Sequence, residues 1–217
     1  MIPKILHQVF LGFDTPNISD IPIYSKCQEQ TKKCLNKCLK WKYKLWTDQQ
    51  CENLVEIFYP EFIQLWNDFT QPIMKADFIR YLILHHEGGI YLDLDMYPIK
   101  NFDSLLDKSE IFTTWHDDTR KLPYNALLGS RKNNPLFMEI ANHSKISFYE
   151  KSKTLPSSWK GRLVFHSTGH YMLKRVLKRH NIIPDDLLRI YKKGYTIEGD
   201  NPFFADFNAS IWYNGAL

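Results

Sequence analysis

No stretch of this sequence approaches the roughly 20 apolar residues that a membrane-spanning helix needs. The first residues, MIPKILHQVFLG, lack the basic start and long apolar run of a signal peptide. Together these absences point to a soluble, cytoplasmic protein. Internal repeats, low-complexity tracts and Gly/Ser linkers are missing too, so a single domain over 1–217 is expected. The phosphate loop GxxxxGK[ST] does not occur. Cysteines are few: Cys27, Cys34, Cys38 and Cys51, with no C-x2-4-C pair. Cys34 and Cys38 lie one helical turn apart, which leaves a metal or a disulfide with another element as the alternative to reduced, structural thiols. Neither sign of charge dominates, the net being +4. The basic groups Lys32, Lys33 and Lys37, and Lys174, Arg175, Lys178 and Arg179, fall at helical spacings and read as solvated faces. No nucleic-acid partner is expected, and at most a peripheral contact with an anionic membrane surface.

What is present is an ordinary globular composition, 44% hydrophobic and 24% charged, which argues against disorder. Aromatics reach 15%, as suits sugar or base recognition, although aromatic cores are commoner. Strands are predicted at Lys4–Phe10, Tyr43–Trp46, Ile90–Leu94, Ile111–Trp115, Ala126–Leu128 and Leu188–Tyr191. Helices are predicted at Tyr24–Cys38, from a cap at Thr47 or Asp48 to Phe58, and at Pro60–Phe69, Pro72–Glu87, Pro135–Tyr149 and Gly169–His180. Gly88-Gly89 ends the fourth of these helices. Alternation of strands and helices indicates an α/β sandwich with a mostly parallel central sheet flanked by helices. Ligands in such folds sit at the carboxyl ends of strands.

One such end is acidic. In GGIYLDLDMYPI, strand alternation puts Ile90, Leu92 and Leu94 on one face and Tyr91, Asp93 and Asp95 on the other. Neighbouring carboxylates repel unless a cation lies near them. Their oxygens suit a hard divalent ion, Mg2+ or Mn2+, with substrate phosphates completing the shell. An EF-hand is excluded, because its further ligands and turn glycine are missing. The plainer alternative is a strand end whose aspartates cap a turn before Pro98.

The preceding helix strengthens the metal reading. Met74, Phe78 and Leu82 form one apolar row and Ile79 and Ile83 another, so this helix is expected to be buried. Asp77 and Arg80, three apart, share one side of it. They form either an intrahelical ion pair or a grip on a polar ligand beside the metal. A planar guanidinium suits phosphate or carboxylate, and an aspartate suits a sugar hydroxyl.

The segments IPKILHQVFLG, KYKLWTD, KADFIRYLILHHEGGIYLDLDMYPI and NALLGSRKNNPLF occur in an order that resembles glycosyltransferase family 32. These are DXD-containing sugar transferases related to the glucosyltransferase domains of large clostridial toxins. The resemblance implies a GT-A type nucleotide-binding sandwich. By it, Asp95 would ligate Mn2+ and Asp93 would hold the donor ribose or reach the metal through water, with Leu94 between them at the donor. Asp77 and Arg80 would grip the donor sugar, Tyr91 would sit at the donor site, and His7, Gln8 and Val9 would seat base and ribose. Asn125 would face the transferred sugar. Thr168-Gly169 matches a T-G-P, with His170 in place of the proline. In FFADFNASIWYNG, either Asp206 or Asn208 would be the third metal ligand, with Ser210 beside it and Trp212 against the donor. The alternative for that segment is a polar tail closed by a packed tryptophan.

The resemblance implies a retaining, metal-dependent hexosyltransferase that acts on a glycan or protein hydroxyl. A UDP-sugar donor is favoured over GDP-mannose. Asp95, Asp93, Arg80, Asp77 and Asn125 would carry the reaction. A metal-dependent phosphoryl- or nucleotidyl-transferase would share the acidic pair, and a catalytically silent carbohydrate-binding module would share the aromatics.

Overall fold

Four residues, GIYL, form β3 (Gly89–Leu92), the middle strand of a five-stranded sheet. On one side lie β1 (Ile5–Phe10) and, at the edge, β2 (Lys42–Thr47), both running parallel to it. On the other side, β6 (Leu122–Ser130) pairs antiparallel with β3, and β5 (Ile111–Asp117) pairs antiparallel with β6. Four of these strands therefore point one way and β6 alone opposes them, which gives the mostly parallel sheet. The computed structural model describes residues 1–38, 40–106, 111–117, 122–156, 158–182, 190–192 and 203–207.

Helices cover both faces. One face carries α2 (Asp48–Phe58), α3 (Ile63–Asp68), α4 (Pro72–Glu87), α5 (Pro135–Thr154), α6 (Lys160–Ser167) and α7 (His170–Arg179). Their apolar residues join Val9, Tyr91 and Leu128 of the sheet in the main core. Against the other face, Cys34 and Leu35 of α1 (Pro22–Leu35) pack with Leu6, Ile90, Leu92 and Leu127. A second sheet lies on this side, with β8 (Phe204–Asp206) antiparallel to β4 (Met96–Pro98) and parallel to β7 (Ile190–Lys192). Among the described residues no helix is long and apolar enough to cross a membrane.

Local signals explain what matched and what did not. Proline at its start and Gly88 at its end bound α4 where expected. By contrast, β6 extends to nine residues although it holds Pro123 and Gly129, which weaken a strand by propensity alone. Complete burial of its residues outweighs that preference. The unexpected α6 contains Gly161 and is supported by packing against α5 and α7. Only three residues long, β4 and β8 are too short to show a period. The expected strand at Leu188–Tyr191 overlaps β7, with 188 and 189 outside the described residues.

Candidate active site

The site begins where α4 hands the chain to β3. Gly88 and Gly89 have φ of 68° and 97°, a region costly for any other residue type. Space forbids a side chain as well: a Cβ on Gly88 would stand 2.5 Å from Lys132 N, and one on Gly89 2.5 Å from Ile5 O. This reversal places β3 in the sheet centre and its carboxyl end at the acidic pair.

The expected strand Ile90–Leu94 ends early, at Leu92. Asp93 donates its N–H to Ala126 O at 2.9 Å, and Met96 N–H donates back to Asp93 O at 3.0 Å, closing a turn. Asp93 and Asp95 therefore sit on a turn, not on one strand face. Both are half-buried. Leu94 packs in a small cluster with Phe10 and Tyr24, which anchors the turn.

Behind the turn lies a buried polar cluster. Asp77 and Arg80 do form an intrahelical pair, with Arg80 Nη2 2.8 Å from Asp77 Oδ1, but they are not exposed. Arg80 is 2% accessible. Its Nη2 lies 3.3 Å from Asp93 Oδ1, its Nη1 donates to Asn125 O at 2.8 Å, and its Nε donates to Ala76 O at 3.2 Å. The guanidinium stacks over Tyr91, 4.6 Å from the ring centre. Asn125 Nδ2 donates to Asp77 Oδ1 at 3.0 Å, and Thr168 Oγ1 donates to Asp77 Oδ2 at 3.2 Å. Tyr91 donates its hydroxyl to Asp93 Oδ1 at 2.7 Å. The structure thus brings together Asp77, Arg80, Tyr91, Asp93, Asn125 and Thr168. Gly169 belongs here too, because a Cβ on it would lie 3.5 Å from Asp77 Oδ2.

Burial pushes the Asp77 carboxyl up to about 6, with Arg80, Thr168 and Asn125 pulling against it. For Arg80 burial works against the charge, but Asp93, Tyr91 and Asp77 outweigh it and hold the guanidinium charged.

The residues expected to seat base and ribose lie behind the turn. His7 and Gln8 are fully buried. His7 Nε2 donates to Gly88 O at 2.9 Å, and its Nδ1 accepts from Trp46 Nε1 at 3.1 Å, so both ring nitrogens are occupied. Burial, in the first place, brings its pKa down to about 4. Gln8 donates to the main chain of the acidic turn and accepts from Tyr43. Val9 packs into the main core. These side chains support the site from behind.

Asp206 lies at the end of β8, directly opposite Met96 in the ladder, and Phe207 N–H donates to Asp95 O at 3.0 Å. Its carboxylate is buried and accepts the Tyr124 hydroxyl. Asp206 and Asp95 also act together on Cys27 of α1: burial first, then Asp95, with a smaller part from Asp206, pushes that thiol up to about 12. Asp206 is therefore in the electrostatic neighbourhood of the turn, with a phenol already on one oxygen. Asn208, Ser210 and Trp212 lie outside the described residues.

A hard divalent cation fits the donor chemistry of the turn. Asp93 Oδ1 is engaged by Tyr91 and Arg80, whereas its Oδ2 makes no hydrogen bond among the described residues, and the side chain is 29% exposed. Asp95 adds a second half-buried carboxylate. Mg2+ and Mn2+ sites are commonly completed by one or two carboxylates and substrate phosphates. Among the described residues no three His, Cys, Asp or Glu side chains are close enough to hold a metal by themselves. All four cysteines are buried free thiols.

Two tyrosines of the site escaped the sequence reading. Tyr124 secures Asp206, and Tyr81 secures Thr168 O at 2.7 Å. Each immediately follows or precedes a singled-out residue, Arg80 or Asn125, and a phenol beside a polar site residue was the available signal.

Residues 25–112 match the family described as the glycosyltransferase sugar-binding region containing DXD motif. Mannosyl phosphorylinositol ceramide synthase SUR1 of Saccharomyces cerevisiae is 31% identical over 217 residues, covering 98% of this chain and 52% of that protein. Inositol phosphoceramide mannosyltransferase 2 of Schizosaccharomyces pombe is 27% identical over 223 residues, covering 99% of this chain and 59% of that protein. An uncharacterized glycosyltransferase of Acanthamoeba polyphaga mimivirus is 34% identical over 140 residues, covering 63% of this chain and 53% of that protein. The chain spans about half the length of the curated relatives it matches. Among solved structures, PaToxG glycosyltransferase shares the fold with a TM-score of 0.55 at 16% identity, covering 82% of this chain and 70% of that one. Residues 25–112 thus carry the DXD-containing sugar-binding region of glycosyltransferases, and the sheet and helices form a GT-A α/β sandwich.

Proposed function

We propose that this chain is the catalytic core of a retaining glycosyltransferase that moves a mannosyl group from a nucleoside diphosphate sugar to an acceptor hydroxyl. The observation that carries this reading is the bridge Asp77–Arg80–Asp93, which ties a buried polar cluster to a half-exposed acidic turn at the end of the central strand. The names of the yeast relatives turn the donor from a UDP-sugar toward GDP-mannose. They also turn the acceptor from a glycan or protein toward an inositol-bearing lipid headgroup.

A divalent cation held by Asp93 and Asp95 would stabilise the charge that develops on the leaving diphosphate. Arg80 and Tyr91 hold Asp93 by one oxygen, which orients the other. Both Asp77 oxygens are engaged, Oδ1 by Arg80 and Asn125 and Oδ2 by Thr168, so this carboxylate is not placed as a covalent nucleophile. This supports reading the transfer as front-face. The acceptor oxygen bonds to the anomeric carbon as the carbon–oxygen bond to the diphosphate breaks, and the acceptor proton passes to a diphosphate oxygen.

The test is nucleoside diphosphate release from a panel of nucleotide sugars, with and without Mn2+. GDP release from GDP-mannose is expected, abolished by chelator and restored better by Mn2+ than by Ca2+, which prefers looser shells. Full activity in chelator would overturn the metal assignment, and release from UDP-sugars alone would overturn the donor.

A further inference from the structure

We infer that Gln8 is a positioning residue for the acidic turn, with Tyr43 and Gln28 aligned behind it; this rests on reading that turn as the cation and diphosphate site. Gln8 Nε2 donates to Asp93 O at 3.0 Å and to Met96 O at 3.3 Å. These two carbonyls bracket the turn that carries Asp93 and Asp95. Both amide hydrogens of one buried side chain thus hold the main chain at the residues flanking the second aspartate.

The amide is itself oriented. Its Oε1 accepts the Tyr43 hydroxyl at 2.9 Å, and Tyr43 Oη in turn accepts from Gln28 Nε2 at 3.1 Å. This relay fixes which end of the amide faces the turn, since the carbonyl end would repel Asp93 O and Met96 O. It runs from α1 through β2 and β1 into a loop more than 80 residues away in sequence. The same strand holds the other end of β3, where His7 binds Gly88 O. Adjacent residues of β1, pointing to opposite faces, therefore pin both ends of a four-residue strand. The Gln8 side chain is fully buried, and its amide is engaged by these bonds. It acts by fixing the backbone from which both carboxylates project, and small displacements of such groups are costly to a site that must be preorganised.

Gln8→Leu keeps the volume and removes both hydrogen bonds to the turn together with the one from Tyr43, and Tyr43→Phe removes only the group that orients the amide. Mn2+ affinity is read by electron paramagnetic resonance titration, and amide hydrogen exchange is followed at Asp93 and Met96 against amides of the β1–β2 ladder. Gln8→Leu is expected to weaken Mn2+ binding about tenfold and to speed exchange at the turn by about the same factor, with the ladder unchanged. Tyr43→Phe is expected to do the same by about two- to threefold. Uniformly faster exchange in both places would make Gln8 an ordinary core residue and overturn the inference. So would unchanged Mn2+ affinity in a protein that binds the ion. If Gln8→Leu does not fold, Tyr43→Phe decides alone, and unchanged exchange at the turn overturns the inference. If the unsubstituted protein binds no Mn2+, the cation reading fails separately and the exchange measurement still decides the clamp.

Discussion

Asp77 and Asp93 are the same kind of side chain on two sides of one guanidinium, and they occupy opposite environments. Asp77 is 7% exposed in its side chain and has hydrogen-bonding partners on both oxygens. Asp93 is 29% exposed in its side chain and, among the described residues, has partners on one oxygen only. The inner carboxylate is saturated by the protein and can only position. The outer one retains coordination capacity, which a hard cation and a phosphate-bearing donor require. Arg80 couples the two, so the acidic turn inherits its orientation from the interior.

The strongest way to break this contrast is at the turn. Asp95→Ala is expected to lower kcat/KM by roughly 10³-fold while lowering the apo protein's Tm less than a change at the fully buried Arg80 does, because Asp95 is only half-buried. A large fall in Tm would show that the turn carries the fold as much as the chemistry. Steady-state kinetics and calorimetry check both halves.

Arg80→Lys attacks the coupling itself. From sequence alone an exposed pair would contribute little to folding. In its buried setting the fork holds Asp77, Asp93, Asn125 and Ala76 at once. The lysine variant is expected to lose roughly 10²-fold in kcat/KM and also about 1–3 kcal/mol in urea unfolding, because buried acceptors lose their donors. Normal turnover in a stable variant would return α4 to a purely structural role.

The smallest effect belongs to the inner carboxylate. Its pKa is raised to about 6, so it takes up a proton as the pH falls through that value and loosens its hold on Arg80. Activity is expected to fall about tenfold between pH 7 and 5, and Asp77→Asn to remove that acid limb from the pH–rate profile. Stability runs the other way for this group. A carboxyl raised in the folded state contributes stability that is fully present below its unfolded pKa near 4, and lost as pH rises through about 6. His7 has the opposite sign: its pKa is lowered from 6.5 to about 4, so its contribution is present above 6.5 and lost as pH falls through about 4. An unchanged acid limb in Asp77→Asn would remove Asp77 from the mechanism.

Much of this site was legible one segment at a time. Proline and glycine at its two ends marked α4 to the residue, because both act on the backbone locally. The D-x-D, and the Asp77/Arg80 spacing before it, announced unusual polar chemistry, since buried charges need partners. Other features were invisible for the same reason of locality. Strand alternation carried Asp95 onto a face it does not occupy, because the chain turns at Asp93, where Met96 N–H bonds back to Asp93 O and Gln8 of another strand holds the carbonyls of both residues.

The sequence by itself determined most elements of this protein, though not α6, β4 or β8, and the residue types that make a polar site at the end of the central strand. Propensity, capping and hydrophobic period act within a dozen residues, and so does the spacing of a motif. Only the tertiary structure decided what each polar group faces. It gave the inner side of Arg80 to Asp77 and the outer side to Asp93, and it made His7 and Gln8 braces. It also set Asn125 against Asp77, 48 residues earlier in the chain. Those outcomes depend on which strands become neighbours, and the satisfaction of buried donors and acceptors is settled only when the whole core closes around them.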